Sequence, residues 1–305
     1  MTPPQTAVIG AGAGAGTRAA RLRQVASDYL ELTKPKVQTL LLFTTITTME
    51  VAGNPSVGRV ALTCLGGYLS AGGAGAVNHF YDRDIDAQMA RTASRPVPAG
   101  RVSPRAALLY GCLLALASFV LMSLTLNVLA ASLALAGFVG YVGVYTMFLK
   151  RRTPQNIVIG GAAGAIPPLV GWAAVRGSVG WTAVYLFAIV FYWTPPHFWA
   201  LSLLMKGEYE KVGVPMMPVV RGEHETRRQI FLYSLLLYAL TQLPFCAGAF
   251  GLFYMVCSMV LGLGFVGGAW RLYKRPDRRM ALRLYLFSLA YLALLFSAMV
   301  ADVKL

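Results

Sequence analysis

Charge is scarce in this chain. Asp, Glu, Lys and Arg make up 13% of its 305 residues, about half the share of an ordinary soluble domain. Acids are scarcer than bases, 12 against 27, leaving a net charge of +15. Cysteine is thin too. Cys64, Cys112, Cys246 and Cys257 lie one by one inside apolar runs with no CxxC spacing, which excludes a disulfide framework and a thiolate metal site. Three histidines, His79, His197 and His224, form no HxxxH or HExxH pattern, so a structural zinc site is not expected. No short apolar core precedes a small-residue cleavage site near the amino terminus, so no cleaved signal peptide is expected. The alternating Gly10–Gly16 run follows no strand and opens no βαβ unit. It reads as low-complexity tail rather than as a dinucleotide loop.

What the sequence has in abundance is apolar length: 57% of residues are hydrophobic and the mean hydropathy is +0.59. A helix needs roughly 20 apolar residues to cross a bilayer. Nine stretches approach that, at 38–53, 57–78, 105–125, 128–149, 155–175, 180–203, 230–249, 251–270 and 281–301. The first is diluted by Thr44, Thr45, Thr47 and Thr48, whose hydroxyls can bond carbonyls of the preceding turn. The expectation is an all-α polytopic membrane domain over 36–305. Residues 1–35 form a disordered tail and an interfacial segment, in which Leu22, Val25, Ala26, Tyr29 and Leu30 lie near one helical face.

The basic excess is one-sided. With nine spans, 24 of the 27 Lys and Arg residues fall in the amino-terminal segment and the loops after even-numbered spans; only Arg59, Arg176 and Lys304 fall opposite. Positive charge marks the cytoplasmic side. The amino terminus is therefore expected in the cytoplasm of a cell (inner) membrane protein and the carboxyl terminus on the other side. The same distribution accounts for the basic pI without nucleic acid, and no nucleic-acid partner is expected.

At the cytoplasmic end of the second span stands Asn78-His79-Phe80-Tyr81-Asp82-Arg83-Asp84-Ile85-Asp86, followed by Met89, Arg91, Thr92, Arg95 and Pro96. Asn78, Asp82 and Asp86 recur every fourth residue, so on a helix they form one stripe. Two carboxylates and an amide oxygen suit a hard divalent cation such as Mg²⁺, its shell completed by substrate phosphate. Arg91 and Arg95, again four apart, can clamp phosphate oxygens. The bland alternative is a solvated, self-neutralising loop. A second polar segment, Lys206-Gly207-Glu208-Tyr209-Glu210-Lys211, follows the sixth span, with Gly213 and Pro215 expected to end its helix.

The Asn78-x-x-x-Asp82-x-x-x-Asp86 pattern with Met89-x-Arg91-Thr92-x-x-Arg95-Pro96 resembles the first aspartate-rich motif of the UbiA-type intramembrane aromatic prenyltransferases. Nine spans with acidic motifs after the second and sixth extend that resemblance over nearly the whole chain. Lys150-Arg151-Arg152-Thr153-Pro154-Gln155-Asn156, Trp193-Thr194-Pro195-Pro196-His197-Phe198-Trp199 and Gly213-Val214-Pro215-Met216-Met217-Pro218-Val219 are similar to the haem-modifying branch of that family.

The resemblance implies nine transmembrane helices around an intramembrane cavity, with cytoplasmic loops carrying a diphosphate site. Asn78, Asp82, Asp86 and Glu208 would hold Mg²⁺; Arg91 and Arg95 would join Asn78, Asp82 and Asp86 in catalysis. Lys150, Arg151, His197, Lys206, Glu208, Tyr209 and Lys211 would bind substrate. One departure matters: Val212 stands where the family commonly has a second acid after Glu208. A metal site symmetrical in carboxylates is therefore not expected, and Lys206, Tyr209 and Lys211 would take part of the diphosphate's charge. The implied substrates are farnesyl diphosphate and haem B, the latter a substrate rather than a cofactor. The implied reaction is farnesyl transfer to a haem vinyl group with addition of water, giving haem O for terminal oxidases. A contact with haem A synthase or oxidase assembly would fit that place.

His197 lies about six residues inside the cytoplasmic end of the sixth span, where ionisable groups are costly. It serves either the porphyrin, as an iron ligand or a propionate donor, or the helix, by bonding carbonyls freed by Pro195 and Pro196. Phe80, Trp172, Tyr192, Phe198 and Trp199 are candidates for shielding an allylic cation from water. Two other readings stay open: a sister prenyltransferase acting on a quinone-precursor aromatic acid, and a transporter. Both acidic motifs lie on one membrane side, which favours an active site over a path through the membrane.

Overall fold

The computed structural model describes residues 13–305, so the Gly/Ala tail falls largely outside the described residues. Thirteen helices follow in order: α1 (Ala13–Leu32), α2 (Pro35–Ala52), α3 (Val57–Tyr81), α4 (Arg83–Gln88), α5 (Pro104–Thr125), α6 (Val128–Leu149), α7 (Asn156–Arg176), α8 (Trp181–Leu204), α9 (Lys206–Lys211), α10 (Met217–Val220), α11 (Gly222–Cys246), α12 (Leu252–Lys274) and α13 (Arg278–Lys304). Each of the nine expected spans is a helix. Among the described residues, seven are long and apolar enough to cross a membrane. The two that fall short, α2 and α8, carry the threonines and the Trp-Thr-Pro-Pro-His segment.

Three of the four threonines in the middle of α2 behave as helical hydroxyls do in apolar surroundings, whereas the Thr48 hydroxyl has no hydrogen-bond partner. Thr44 and Thr45 donate to the Leu41 carbonyl at 2.9 and 3.0 Å, and Thr47 donates to Phe43 at 2.9 Å. Their side chains are buried, so α2 packs inside the bundle although its composition is half polar.

The long helices close into a ring. α2 packs on α3, α7 and α13; α3 on α5 and α6; α6 on α7; α7 on α8; α8 on α11 and α13; and α11 on α12, which meets α13. Where lipid removes the hydrophobic drive for helix association, close backbone approach must supply it. At the α3–α5 crossing a Cβ on Gly73 would stand 2.6 Å from the Gly111 carbonyl oxygen, and one on Gly111 equally close to that of Gly73. Neither position accepts a side chain. The outer surface is apolar in stripes: Leu109, Leu113, Leu116, Val120 and Leu124 on α5, and Leu252, Val256, Val260 and Leu263 on α12, are all exposed. That spacing gives each helix one lipid-facing stripe.

Two ends of the ring differ in chemistry. At one, Lys304 donates to Asn54 at 2.6 Å and pairs with Glu50 at 3.2 Å, while Asp302 accepts from the Tyr254 backbone at 3.0 Å. These contacts tie the end of α13 to the α2–α3 and α11–α12 turns. The other end gathers the motifs. There α1 is docked rather than free: Tyr29 meets Tyr110 edge-on at 5.0 Å and Arg101 donates to Asp28 at 2.8 Å. On the same helix Leu22 and Val25, further back, and Leu30, beside Tyr29, stay exposed.

The second half of α6, Gly140–Leu149, is π-helical, with the Lys150 amide bonding the Tyr145 carbonyl at 2.8 Å. Such wide turns are uncommon and concentrate at functional sites. This one ends on Lys150.

Candidate active site

The helix that carries the stripe does not run through it. α3 stops at Tyr81, Asp82 is its C-cap with φ −93° and ψ 6°, and α4 restarts at Arg83. Amide bonds from Asp82 to Asn78 (2.9 Å) and from Asp86 to Asp82 (2.7 Å) nevertheless keep the four-residue repeat across the break. Asn78, Asp82 and Asp86 are buried, at 3%, 1% and 3% exposure. A solvated loop would not look like this.

Buried carboxylates require cations or donors, and the fold brings them from four elements. Asn78 donates to Asp82 Oδ2 at 2.6 Å, and Lys150 at the end of α6 is ion-paired with the same oxygen. Arg95 pairs with Asp86 at 2.7 Å. Arg151 approaches Asp82 Oδ1 at 3.7 Å while holding Asp84 through both carboxylate oxygens, at 2.6 and 2.7 Å. That grip, ahead of any other cause, pushes the Asp84 carboxyl down to about 2. Arg151 also donates to the Tyr81 carbonyl at 2.8 Å, so it fastens the α6–α7 loop to the α3–α4 junction.

Lys34 completes the set, although its sequence position reads only as tail charge. Its ammonium donates to Asn78 Oδ1 at 2.6 Å and lies 6.0 Å from the Tyr141 ring centroid. Burial first, then the charges of Arg95 and Lys150, pulls its pKa down to about 7, against opposing pulls from Asp82 and Asp86. Lys34 has left-handed backbone angles, φ 54° and ψ 57°, directly before Pro35 at the first turn of α2. The chain can pass this close to α3 because position 75 is glycine: a Cβ there would stand 3.0 Å from the Leu32 carbonyl oxygen. Thr146, which accepts from Asn78 Nδ2 at 3.1 Å, and the half-buried Tyr141 and Tyr145 come from the π-helical turns. Sequence reasoning missed all four of these residues; a Lys-Pro pair opening a helix was the one available signal.

The second polar segment meets the first. Glu208 accepts from the Ala90 backbone N–H at 3.0 Å. Beneath them Ile85, Met89, Ile157, Val214 and Met216 form an apolar floor against which Tyr209 packs. Gly213, with φ +68°, ends the α9 segment as its sequence suggested. Lys206 pairs with Glu223 at 3.5 Å. Lys211 and Arg91 are exposed and make no hydrogen bond or ion pair among the described residues. His197 stands apart from the stripe. Buried in α8, its Nδ1 bonds the Ser288 hydroxyl of α13 at 2.7 Å, and its ring stacks on Trp193 at 4.3 Å and Tyr285 at 4.8 Å. The carbonyls freed by Pro195 and Pro196 are not its partners. Of the aromatic candidates, Trp199 is fully buried, Tyr192 and Phe80 are half-buried, and Phe198 is exposed.

Asp82 Oδ1 is buried and accepts no hydrogen bond. A buried carboxylate oxygen without a hydrogen-bond partner is the kind of hard ligand that a divalent cation takes. Among the described residues no three His, Cys, Asp or Glu side chains converge into a ready-made cluster.

Buried acids matched by Lys34, Arg95, Lys150 and Arg151 at one end of a helical ring with an apolar outer surface define a polytopic membrane protein with a charged, buried site at one end. The chain belongs to the UbiA prenyltransferase family, which it matches over residues 40–295. It is 54% identical to a protoheme IX farnesyltransferase from Chloroflexus aurantiacus over 92% of its own length, yet it spans only 48% of that relative. It spans 95% of one from Symbiobacterium thermophilum, at 52% identity over 92% of this chain. Among solved structures, a digeranylgeranylglyceryl phosphate synthase shares the fold with a TM-score of 0.77 at 21% identity, covering 92% of this chain and all of that one. A UbiA homolog from Archaeoglobus fulgidus bound to DMAPP and Mg²⁺ shares it at 0.65 and 18% identity, over 89% and 99% of the two chains.

Proposed function

We propose that this chain transfers the farnesyl group of farnesyl diphosphate to a vinyl group of haem B, with addition of water, releasing haem O and diphosphate. The observation that carries the donor half is the orphaned Asp82 oxygen among four cations. The acceptor half is supported by relatives of about half identity that bear the haem farnesyltransferase name. Asn78, Asp82, Asp86 and Glu208 are the residues that would draw in around Mg²⁺ once diphosphate oxygens join its shell, and the ion would neutralise diphosphate charge and so help the allylic C–O bond to break.

The chain's own groups do the rest. Lys34, Lys150, Arg95 and Arg151 exchange their carboxylate and amide partners for diphosphate oxygens and stabilise the negative charge that grows as the C–O bond opens. Arg91, Lys206 and Lys211, at the rim, attract the anion. Tyr141, Tyr145 and the buried Trp199 keep water from the farnesyl cation until the vinyl carbon attacks it. Water then adds to the resulting cation beside the porphyrin and gives up a proton. A groove of about 500 Å³ between α3 and α6, lined by Phe80, Tyr81, Arg83, Asp84, Thr146, Met147 and Arg151, opens beside the site and offers the prenyl diphosphate a way in. Competition between haem B and 4-hydroxybenzoate for limiting farnesyl diphosphate tests the acceptor. Prenylated haem alone is expected; prenylated benzoate would make the chain a quinone-pathway sister.

His197 is assigned to the porphyrin. The Ser288 hydroxyl donates to the Tyr285 carbonyl at 2.6 Å, so Nδ1–H donates to Ser288 and Nε2 presents a lone pair suited to iron; a propionate contact requires the charged ring. His197→Ala should raise KM for haem, lower kcat, or both, while the apparent affinity for farnesyl diphosphate changes little. A shifted haem absorption band would mark iron ligation, and an unshifted one a propionate contact. Normal kinetics for both substrates would return His197 to packing.

The motif end of the ring is assigned to the cytoplasmic face of the cell (inner) membrane on the charge asymmetry. In a background without the four native cysteines, single cysteines replacing Arg91, Arg151, Arg221 and Arg278 should react only from the cytoplasm. Periplasmic labelling at any of them would overturn the orientation.

A further inference from the structure

His79 is 1% exposed, and neither of its ring nitrogens has a hydrogen-bond partner. Buried polar side chains are nearly always satisfied, and each exception calls for a reason. The other buried histidine, His197, obeys the rule through Ser288. His79 follows Asn78 and stands three and seven residues before Asp82 and Asp86, a spacing that puts its side chain on the carboxylates' side of the helix. Lys34, Arg95 and Lys150, the cations around those carboxylates, act on the ring through their charge. A buried, unpartnered ring on this side of α3 has a donor to offer an anion bound among them.

We propose that His79 is a further binding residue for the diphosphate, donating its imidazole N–H to one of the diphosphate oxygens. This rests on the reading of the site as a diphosphate pocket and assigns one more donor within it. Either tautomer of a neutral imidazole supplies one N–H donor, so the role requires no change of protonation. A hard Mg²⁺ prefers oxygen, which makes the anion rather than the metal the natural partner of this ring. Oxygens of the diphosphate left over by the lysines and arginines would find here a donor with no competing commitment.

Calorimetric binding of inorganic pyrophosphate, with and without Mg²⁺, tests the assignment on purified full-length protein, with thermal melts confirming that each variant is folded. His79→Phe keeps the ring volume and removes the donor. It should weaken pyrophosphate binding about tenfold or more, the usual worth of a hydrogen bond to a charged group, and raise KM for farnesyl diphosphate while leaving KM for haem unchanged. Affinity equal to that of the native protein would overturn the proposal. If phenylalanine prevents folding, His79→Asn and His79→Gln carry the test, since they place an N–H near the δ and ε positions respectively. One should bind like the native protein and the other about tenfold more weakly; equal affinities would overturn the proposal. Native protein that binds no pyrophosphate would instead sink the diphosphate pocket itself, and His79's role with it.

Discussion

Asp82→Asn should lower turnover by about two to three orders of magnitude, the range seen when one preorganised electrostatic group is removed from a reacting centre. The amide is nearly isosteric and keeps one oxygen for Asn78 and Lys150, so the protein should still insert and fold, with a melting temperature lowered by the loss of one charge of the buried pair. What is lost is the buried oxygen left without a partner, together with the charge that would hold the cation. Steady-state turnover with saturating farnesyl diphosphate and Mg²⁺ reads the effect. Turnover within a fewfold of the native protein would remove Asp82 from the chemistry.

The second large effect separates folding from catalysis at the same pair. Lys150→Met leaves Asp82, at 1% exposure, without its close ion-pair partner and with only the 3.7 Å approach of Arg151. Breaking a buried pair by removing one member costs about 3–5 kcal/mol, whereas removing both is often close to neutral. Lys150→Met alone should therefore melt well below the native protein, while the Asp82→Asn/Lys150→Met double variant should recover most of that loss. Activity should be lost in both, because the diphosphate has lost a lysine in each. A double variant as unstable as the single would mean that the Lys150–Asp82 contact does not carry the stability assigned to it.

Much of this site was legible because the motif repeats with the helix period. The four-residue spacing of Asn78, Asp82 and Asp86 survives even the break at Asp82, since the i to i+4 amide bonds bridge it. The nine apolar runs became helices for the simpler reason that length and apolarity are local properties. Lys34 was illegible because its place depends on the end of α2 crossing α3 at Gly75, a contact between distant segments. The π-helical turns that present Tyr141, Tyr145 and Thr146 change one hydrogen-bond register and leave composition untouched. The partner of His197 lies 91 residues away in α13, whereas the neighbouring prolines had suggested local carbonyls. Asp84, outside the four-residue stripe, is the anchor of Arg151, and only the three-dimensional arrangement shows that it is the aspartate that faces outward.

The central claim is that this site delivers a farnesyl cation to a haem vinyl group and that water completes the product. Purified protein incubated with haem B, farnesyl diphosphate and Mg²⁺ in ¹⁸O-enriched water, followed by mass analysis of the extracted haem, tests it most directly. The account predicts a haem carrying one farnesyl group and one ¹⁸O hydroxyl, formed by the native protein and nearly absent with Asp82→Asn. Unmodified haem accompanied by ¹⁸O-labelled farnesol, or by no cleavage of the diphosphate, would contradict it.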